Sequence, residues 1–245
     1  MDHRVKVAEK KRVIMRVKLI DAATRVFAQR VGPPPVIDDV IREAKVSRGT
    51  FYNYFDSLDE VVAIIGQELS NQMTTDILPA YDVLAEPWQR ACVGFRVFLI
   101  RALLDKKWGG FVTRPDAWSH HALVARYMAA DLDRGKSIGQ FRFDNVDATS
   151  DFLMGASMQA IDLICKGMDD PNTYMDIYTR LAMTVLGCDT SIIEQSVVFS
   201  LDYLQRWASG ELGIAKPVWA FNLNSKEGRS FLEHRVASTA SRVRS

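Results

Sequence analysis

The sequence predicts an all-α protein in two parts, and three observations predict it. Apolar residues recur at helical spacing in segment after segment, and no segment shows the strict alternation of a half-buried strand. A length of 245 residues with 48% hydrophobic content suffices to bury a sizeable core. A compact three-helix unit stands at the N-terminus, and a larger helical region follows it.

The first helix spans about Lys10 to Arg30, with Val13, Val17, Ile20, Ala23 and Phe27 along one face. Net charge over the chain is only +1, so no global basic excess announces nucleic acid. Residues 1–30 nevertheless hold nine Lys/Arg against Asp2, Glu9 and Asp21. Such an arm suits phosphate contact with counterion release, and a solvated terminus is the alternative.

Val31 to Glu60 reads as two short helices joined by a tight turn. Val36, Ile37, Val40, Ile41 and Ala44 form the apolar face of one, Lys45-Val46 the turn, and Ser47 the N-cap of the next. Phe51 and Phe55 fall four apart and face inward, which leaves Arg48, Thr50, Tyr52, Asn53 and Tyr54 outward as hydrogen-bond donors. A short helix with an apolar back and a donor-rich front suits a DNA major groove, although an ordinary two-helix turn has the same pattern. A stiff helix then runs from about Ser57 to Tyr81, with Asp59 and Glu60 in its first turn where acids favour the helix dipole.

Residues 86–210 read as helical throughout. Pro87 opens a helix to about Lys106, Trp108-Gly109-Gly110 and Thr113 to Pro115 are breaks, and a helix follows from about Trp118 to Arg134. Gly135 to Asn145 is a connector; Asp147 to Lys166, Pro171 to Leu186, and Thr190 to about Gly210 are the remaining strong helices. The tail, 211–245, is less regular and carries a surplus of positive charge, and Trp219, Phe221 and Phe231 tie part of it to the body.

The run from Ala44 to Phe55, AKVSRGTFYNYF, resembles the recognition motif of TetR/AcrR-type transcriptional regulators, A-G-V-S-x-G-T-[LFI]-Y-x-[HY]-F. Ile20, Ala23, Phe27 and Gly32 fit that family's first helix and the glycine ending it, so the resemblance covers about residues 12–62. It implies a TetR-like fold: a basic arm and helix-turn-helix DNA-binding domain over 1–56, a helical ligand-binding and dimerisation domain over 57–210, and a tail of unassigned role over 211–245. It implies a homodimeric repressor released from a palindromic operator on double-stranded DNA by a small apolar or aromatic effector. An activator or co-ligand-dependent regulator of the same fold, or a helical ligand-binding protein or enzyme with a vestigial helix-turn-helix, stands as the alternative. Three departures favour the vestigial reading: Lys45 replaces the usual glycine, Pro33-Pro34-Pro35 replaces a Thr-rich lead-in, and Leu58 replaces a frequent lysine.

On this resemblance Arg48, Thr50 and Asn53 are placed at base edges, since Arg pairs with guanine, Asn with adenine, and a Thr methyl meets thymine. Ser47, Tyr52, Tyr54, Lys10, Lys11 and Arg12 are placed on phosphates. The implied ligand pocket takes Phe95, Phe98, Trp108, Phe111, Trp118, His121, Tyr127, Met158 and Asp162; plain core packing is the competing reading for each. The implied dimer interface takes Ala156, Ala160 and Ile164 with Val197, Leu201 and Leu204, against the same competitor.

No G-x-S-x-G, phosphate-binding glycine loop or Cys/His pairing points to an enzyme or a cofactor. His120-His121 point about 100° apart on a helix, which disfavours a shared metal. Cys92, Cys165 and Cys188 have no ligand or redox spacing and read as reduced thiols. Without a signal-type segment or a bilayer-spanning apolar run, the expected location is cytoplasmic, with no membrane partner.

Overall fold

The computed structural model describes residues 3–29, 33–113 and 123–237, and within them every regular element is a helix. The first, α1 (His3–Gln29), begins well before the expected Lys10. Val13 and Val17 were expected to face the core, yet they are 58% and 50% exposed together with Ile14. Full burial starts only at Leu19, Ile20, Ala22 and Ala23, because the preceding turns of α1 project past the small head that the helix packs on.

The head closes with α2 (Ile37–Ala44) and α3 (Arg48–Tyr52) around Val40, Ala44, Phe51 and Phe55. Burying each phenylalanine contributes about 1.5–3 kcal/mol, so the spacing of Phe51 and Phe55 fixes which way α3 faces. The three prolines do not form the first turn of α2, as their fit to such a turn would suggest. They precede it, Val36 is the cap residue, and the Val36 N–H donates to Asp39 Oδ2 at 3.1 Å, where a hydroxyl cap would have served an N–H further along. Lys45 sits at φ 53 and ψ 52, in the left-handed region that the glycine usual at this place would take without strain. The Lys45 and Val46 N–H groups close α2 onto Arg42 O and Ile41 O at 3.2 and 3.1 Å, and that closure holds the strained residue.

Ser57 caps α4 (Leu58–Tyr81) by accepting from Glu60 N at 3.1 Å, and Glu60 accepts in turn from Asp56 N at 2.8 Å. Its 24 residues extend about 36 Å. The first turns bury Val61, Val62 and Ile65 in the head, and the last bury Met73, Ile77, Ala80 and Tyr81 in the body.

In the body, α5 (Pro87–Leu104) is buried on nearly every side. Trp108-Gly109-Gly110 is not a break but the centre of a short helix, α6 (Lys106–Val112). A Cβ on Gly109 would lie 2.2 Å from Cys165 Sγ, so glycine here lets α6 approach its neighbour closely. That neighbour is α8 (Val146–Lys166); α7 (Leu123–Ser137), α9 (Pro171–Val185) and α10 (Thr190–Ser209) complete the ring around α5. The tail folds back as a 3-10 turn (Val218–Asn224) and α11 (Lys226–Glu233). Phe231 is buried, Trp219 meets Trp207 with ring centres 6.1 Å apart, and Gln205 Nε2 donates to Phe231 O at 2.7 Å. Residues 211–237 therefore share the core of the body.

Replacing Lys45 by glycine removes the left-handed strain at the price of a freer unfolded chain, and should raise stability by about 1 kcal/mol in urea unfolding. A lowered midpoint would mean that the side chain holds the turn by contacts that outweigh the strain.

Candidate functional site

The donor-rich face of α3 is assembled from its own cap. Ser47 Oγ accepts from Thr50 N at 3.0 Å and lies 2.8 Å from Thr50 Oγ1, which orients both hydroxyls at the start of the helix. Arg48 and Asn53 are exposed, and Tyr52 is 47% exposed. Tyr54 was expected outward but is half-buried against the core of the head, since α3 ends at Tyr52 and the chain turns inward there. Arg48 Nη1 pairs with Asp38 Oδ1 at 3.1 Å, and the Tyr52 hydroxyl and then Asp38 raise the guanidinium above its ordinary pKa. Both partners of that pair are exposed, so it is weak and readily exchanged for another anion. Lys10, Lys11 and Arg12 are exposed on the projecting turns of α1, and Arg16 lies over the Phe55 ring at 5.3 Å, which sets the basic helix beside α3.

A cavity of about 60 Å³, several times the space of one water, opens in the body. Thr74, Ile77, Leu78 and Tyr81 of α4 form one wall. Ala91, Gly94, Phe95 and Phe98 of α5 form another, and Val124, Tyr127, Met128, Asp131 and Leu132 of α7, with Ser157 of α8, close it. The lining is apolar except at one end. There Asp131 Oδ1 accepts from Arg90 Nε at 2.7 Å, and Arg90 also donates to Tyr81 O at 3.0 Å while lying over the Tyr81 ring at 4.2 Å. Burial, and then the Asp131 carboxylate, push the Tyr81 phenol well above its ordinary pKa.

Of the residues expected in the pocket, Phe95, Phe98 and Tyr127 line this cavity. Trp108 stands behind Phe98 at 6.0 Å and donates its indole N–H to Leu69 O at 3.4 Å. Phe111 belongs to the core of the head, 5.8 Å from the Phe27 ring. Met158 is half-buried elsewhere on α8, and Asp162 pairs with Lys166 at 2.5 Å. Trp118 and His121 lie outside the described residues. Tyr81, Gly94 and Asp131 were missed: the stiff helix from Ser57 to Tyr81 was given no part in the pocket, and nothing in the spacing of α7 sets Asp131 apart from its neighbouring acid Asp133.

The expected dimer stripe is also displaced. Ala160, Ile164, Val197, Leu201 and Leu204 are buried inside the single chain, and Ala156 is half-buried against the same core. On α8, α9 and α10 the large apolar side chains that remain open are Phe152 and Leu163, then Ile177, Leu181 and Val185, and then Val198. Arg180 of α9 and Glu194 of α10 join those two helices through paired bonds of 2.7 and 2.8 Å.

The described residues contain no group of three or more His, Cys, Asp or Glu placed to hold a metal ion, and no helix long and apolar enough to cross a membrane. Cys92, Cys165 and Cys188 are free; burial is the main cause raising all three thiols, Cys165 to about 11 and Cys188 to about 12.

Residues 19–63 match the family model of bacterial regulatory proteins of the tetR family. The HTH-type transcriptional regulator HbdR of Aromatoleum sp. (strain CIB) is 30% identical over 77 residues, which are 31% of this chain and 34% of that protein. Among solved structures, RolR in complex with resorcinol superimposes with a TM-score of 0.64 at 22% identity, covering 77% of this chain and 95% of RolR. RolR without ligand gives a TM-score of 0.61 at 20% identity, covering 74% and 95%.

Proposed function

We propose, from the match of residues 19–63 to the tetR family of bacterial regulatory proteins, that the chain is a ligand-responsive transcriptional regulator of that family. It acts as a homodimeric repressor, released from a palindromic operator by a small apolar or aromatic effector. Residues 1–56 are the DNA-binding domain, and residues 57–210 bind effector and partner. The observation that carries this reading is that one helix, α4, is buried in the head at its start and forms a wall of the cavity at its end.

In this reading Arg48, Thr50 and Asn53 read base edges, while Ser47, Tyr52 and the Lys10–Arg12 turn of α1 hold phosphates. Arg48 exchanges Asp38 for DNA on docking. Two heads related by a two-fold axis read half-sites about one helical turn apart, or more. The partner packs on the apolar side chains exposed along α8, α9 and α10, a different face from the buried stripe first expected.

An effector in the cavity moves the end of α4, and the rod carries the shift to the head. A second route runs through α6, where Trp108 touches the cavity wall at Phe98 and Phe111 touches Phe27 of α1. A coupling of about 1–3 kcal/mol between cavity and head lowers operator affinity about 5–150-fold. RolR, of the same fold, was crystallised with the aromatic diol resorcinol, which supports an effector of this size and kind.

Selecting bound duplexes from a random DNA library should recover a palindrome; no enrichment, with or without added aromatics, would overturn the reading. Arg48→Ala should relax preference at one position of that palindrome at a cost of about 1–3 kcal/mol, whereas Asp38→Asn, which frees Arg48, should tighten binding. An equal loss on all sequences for Arg48→Ala would remove its base-reading role. Leu181→Arg should dissociate the dimer in sedimentation and abolish binding to the full palindrome; an unchanged mass would place the partner elsewhere.

A further inference from the structure

The polar end of the cavity specifies more than an apolar guest. Asp131 is 7% exposed; one carboxylate oxygen is taken by Arg90, and the other, Oδ2, is buried with no hydrogen-bond partner. An unpaired acceptor of that kind in an apolar cavity is costly, and a guest that donates to it recovers the cost. The Tyr81 hydroxyl lies within hydrogen-bonding range of the same carboxylate, a bond it can hand over to a guest, and it lines the same cavity. Gly94 makes room for it, since a Cβ there would stand 3.0 Å from Tyr81 Oη. An acceptor and a donor side by side match a hydroxyl group, which donates through its hydrogen and accepts through its oxygen.

We infer that the effector is an uncharged aromatic bearing a ring hydroxyl, which donates to Asp131 Oδ2 and accepts from Tyr81 Oη while the ring lies between Phe95 and Phe98. This rests on the reading of the cavity as the effector site and adds its chemical class. Asp131 and Tyr81 are the specificity-determining pair. A benzoate-type anion is rejected, because its carboxylate meets Asp131 while Arg90 is already engaged by Asp131 and Tyr81 O. An ammonium gains little, because Arg90 neutralises Asp131. A plain hydrocarbon fills the space and leaves Oδ2 unpaired.

Titration calorimetry of the full chain with phenol, toluene, benzoate and benzylamine at neutral pH tests this. Phenol should bind at least about tenfold more tightly than toluene, and the two ions should bind more weakly than either. Asp131→Asn keeps an oxygen for Arg90 but replaces the second acceptor by an amide donor, so it should cut the preference for phenol over toluene several-fold. Tyr81→Phe should reduce the preference a few-fold, and it decides the matter should the Asn variant fail to fold. Equal binding of phenol and toluene to the unaltered protein, or tighter binding of benzoate or benzylamine, overturns the hydroxyl inference and leaves the cavity standing. Failure of all four to bind overturns the cavity reading itself.

Discussion

The structure depends on α4 being buried at both ends. A helix resists bending where its turns are held by their own backbone hydrogen bonds, as α4 is until Pro79, which has no N–H to donate, close to its end; two cores that share such a helix cannot reorient freely. Val61, Val62 and Ile65 lock its start among Phe51, Phe55 and Val40; Met73, Ile77 and Ala80 lock its end in the core of the body. Tyr203 adds a bond from its hydroxyl to Ala80 O at 2.5 Å. Everything proposed about coupling follows from that continuity, and a flexible linker between residues 57 and 81 would have removed it.

The body in turn is held in register by a charge that its packing cannot release. Arg96 on α5 is fully buried, paired with Asp176 on α9 at 2.8 Å and donating to Ser200 on α10 at 2.9 Å. Burial pulls the guanidinium below its ordinary pKa, and Asp176 opposes that pull. His234, just past α11, reaches the other oxygen of Asp176 at 2.8 Å, so the tail closes over the same network. Removing one member would leave the others buried and unpaired, which makes this a register device more than a source of stability. The cavity lies against α4, α5 and α7, and the Arg90–Asp131 pair ties those three helices together at its polar end, while the rest of its lining is apolar.

Local strain and local weakness sit together in the head. Lys45 holds a left-handed turn that glycine would take at no steric cost, and Arg48 is parked on an exposed carboxylate. The first sets the angle between α2 and α3; the second keeps the reading side chain ordered without burying it. Both features leave the outward face of α3 presented for docking.

The helix-turn-helix was legible in the sequence because it is local: the spacing of Phe51 and Phe55, the Ser47 cap and the donors between them are set by residues within one or two turns. The all-α class and the starts of α4, α5, α8, α9 and α10 were legible for the same reason, through Pro87, Pro171 and the stretch opening at Ser57. Tertiary structure alone decided which apolar stripes face inward. Ala160, Ile164, Val197, Leu201 and Leu204 have the periodicity of an interface and are core, whereas Val13 and Val17 have the periodicity of core and are exposed. Periodicity states that a helix has an apolar side; only the packed neighbours state what covers it. The cavity's polar end came from the same source, since Tyr81, Arg90 and Asp131 lie on three helices and meet only when α4, α5 and α7 pack together. The sequence by itself determined the helices and the reading head, through short-range spacing and capping; the tertiary structure decided the cavity, the open face and the tail, because those depend on contacts between residues far apart in the chain.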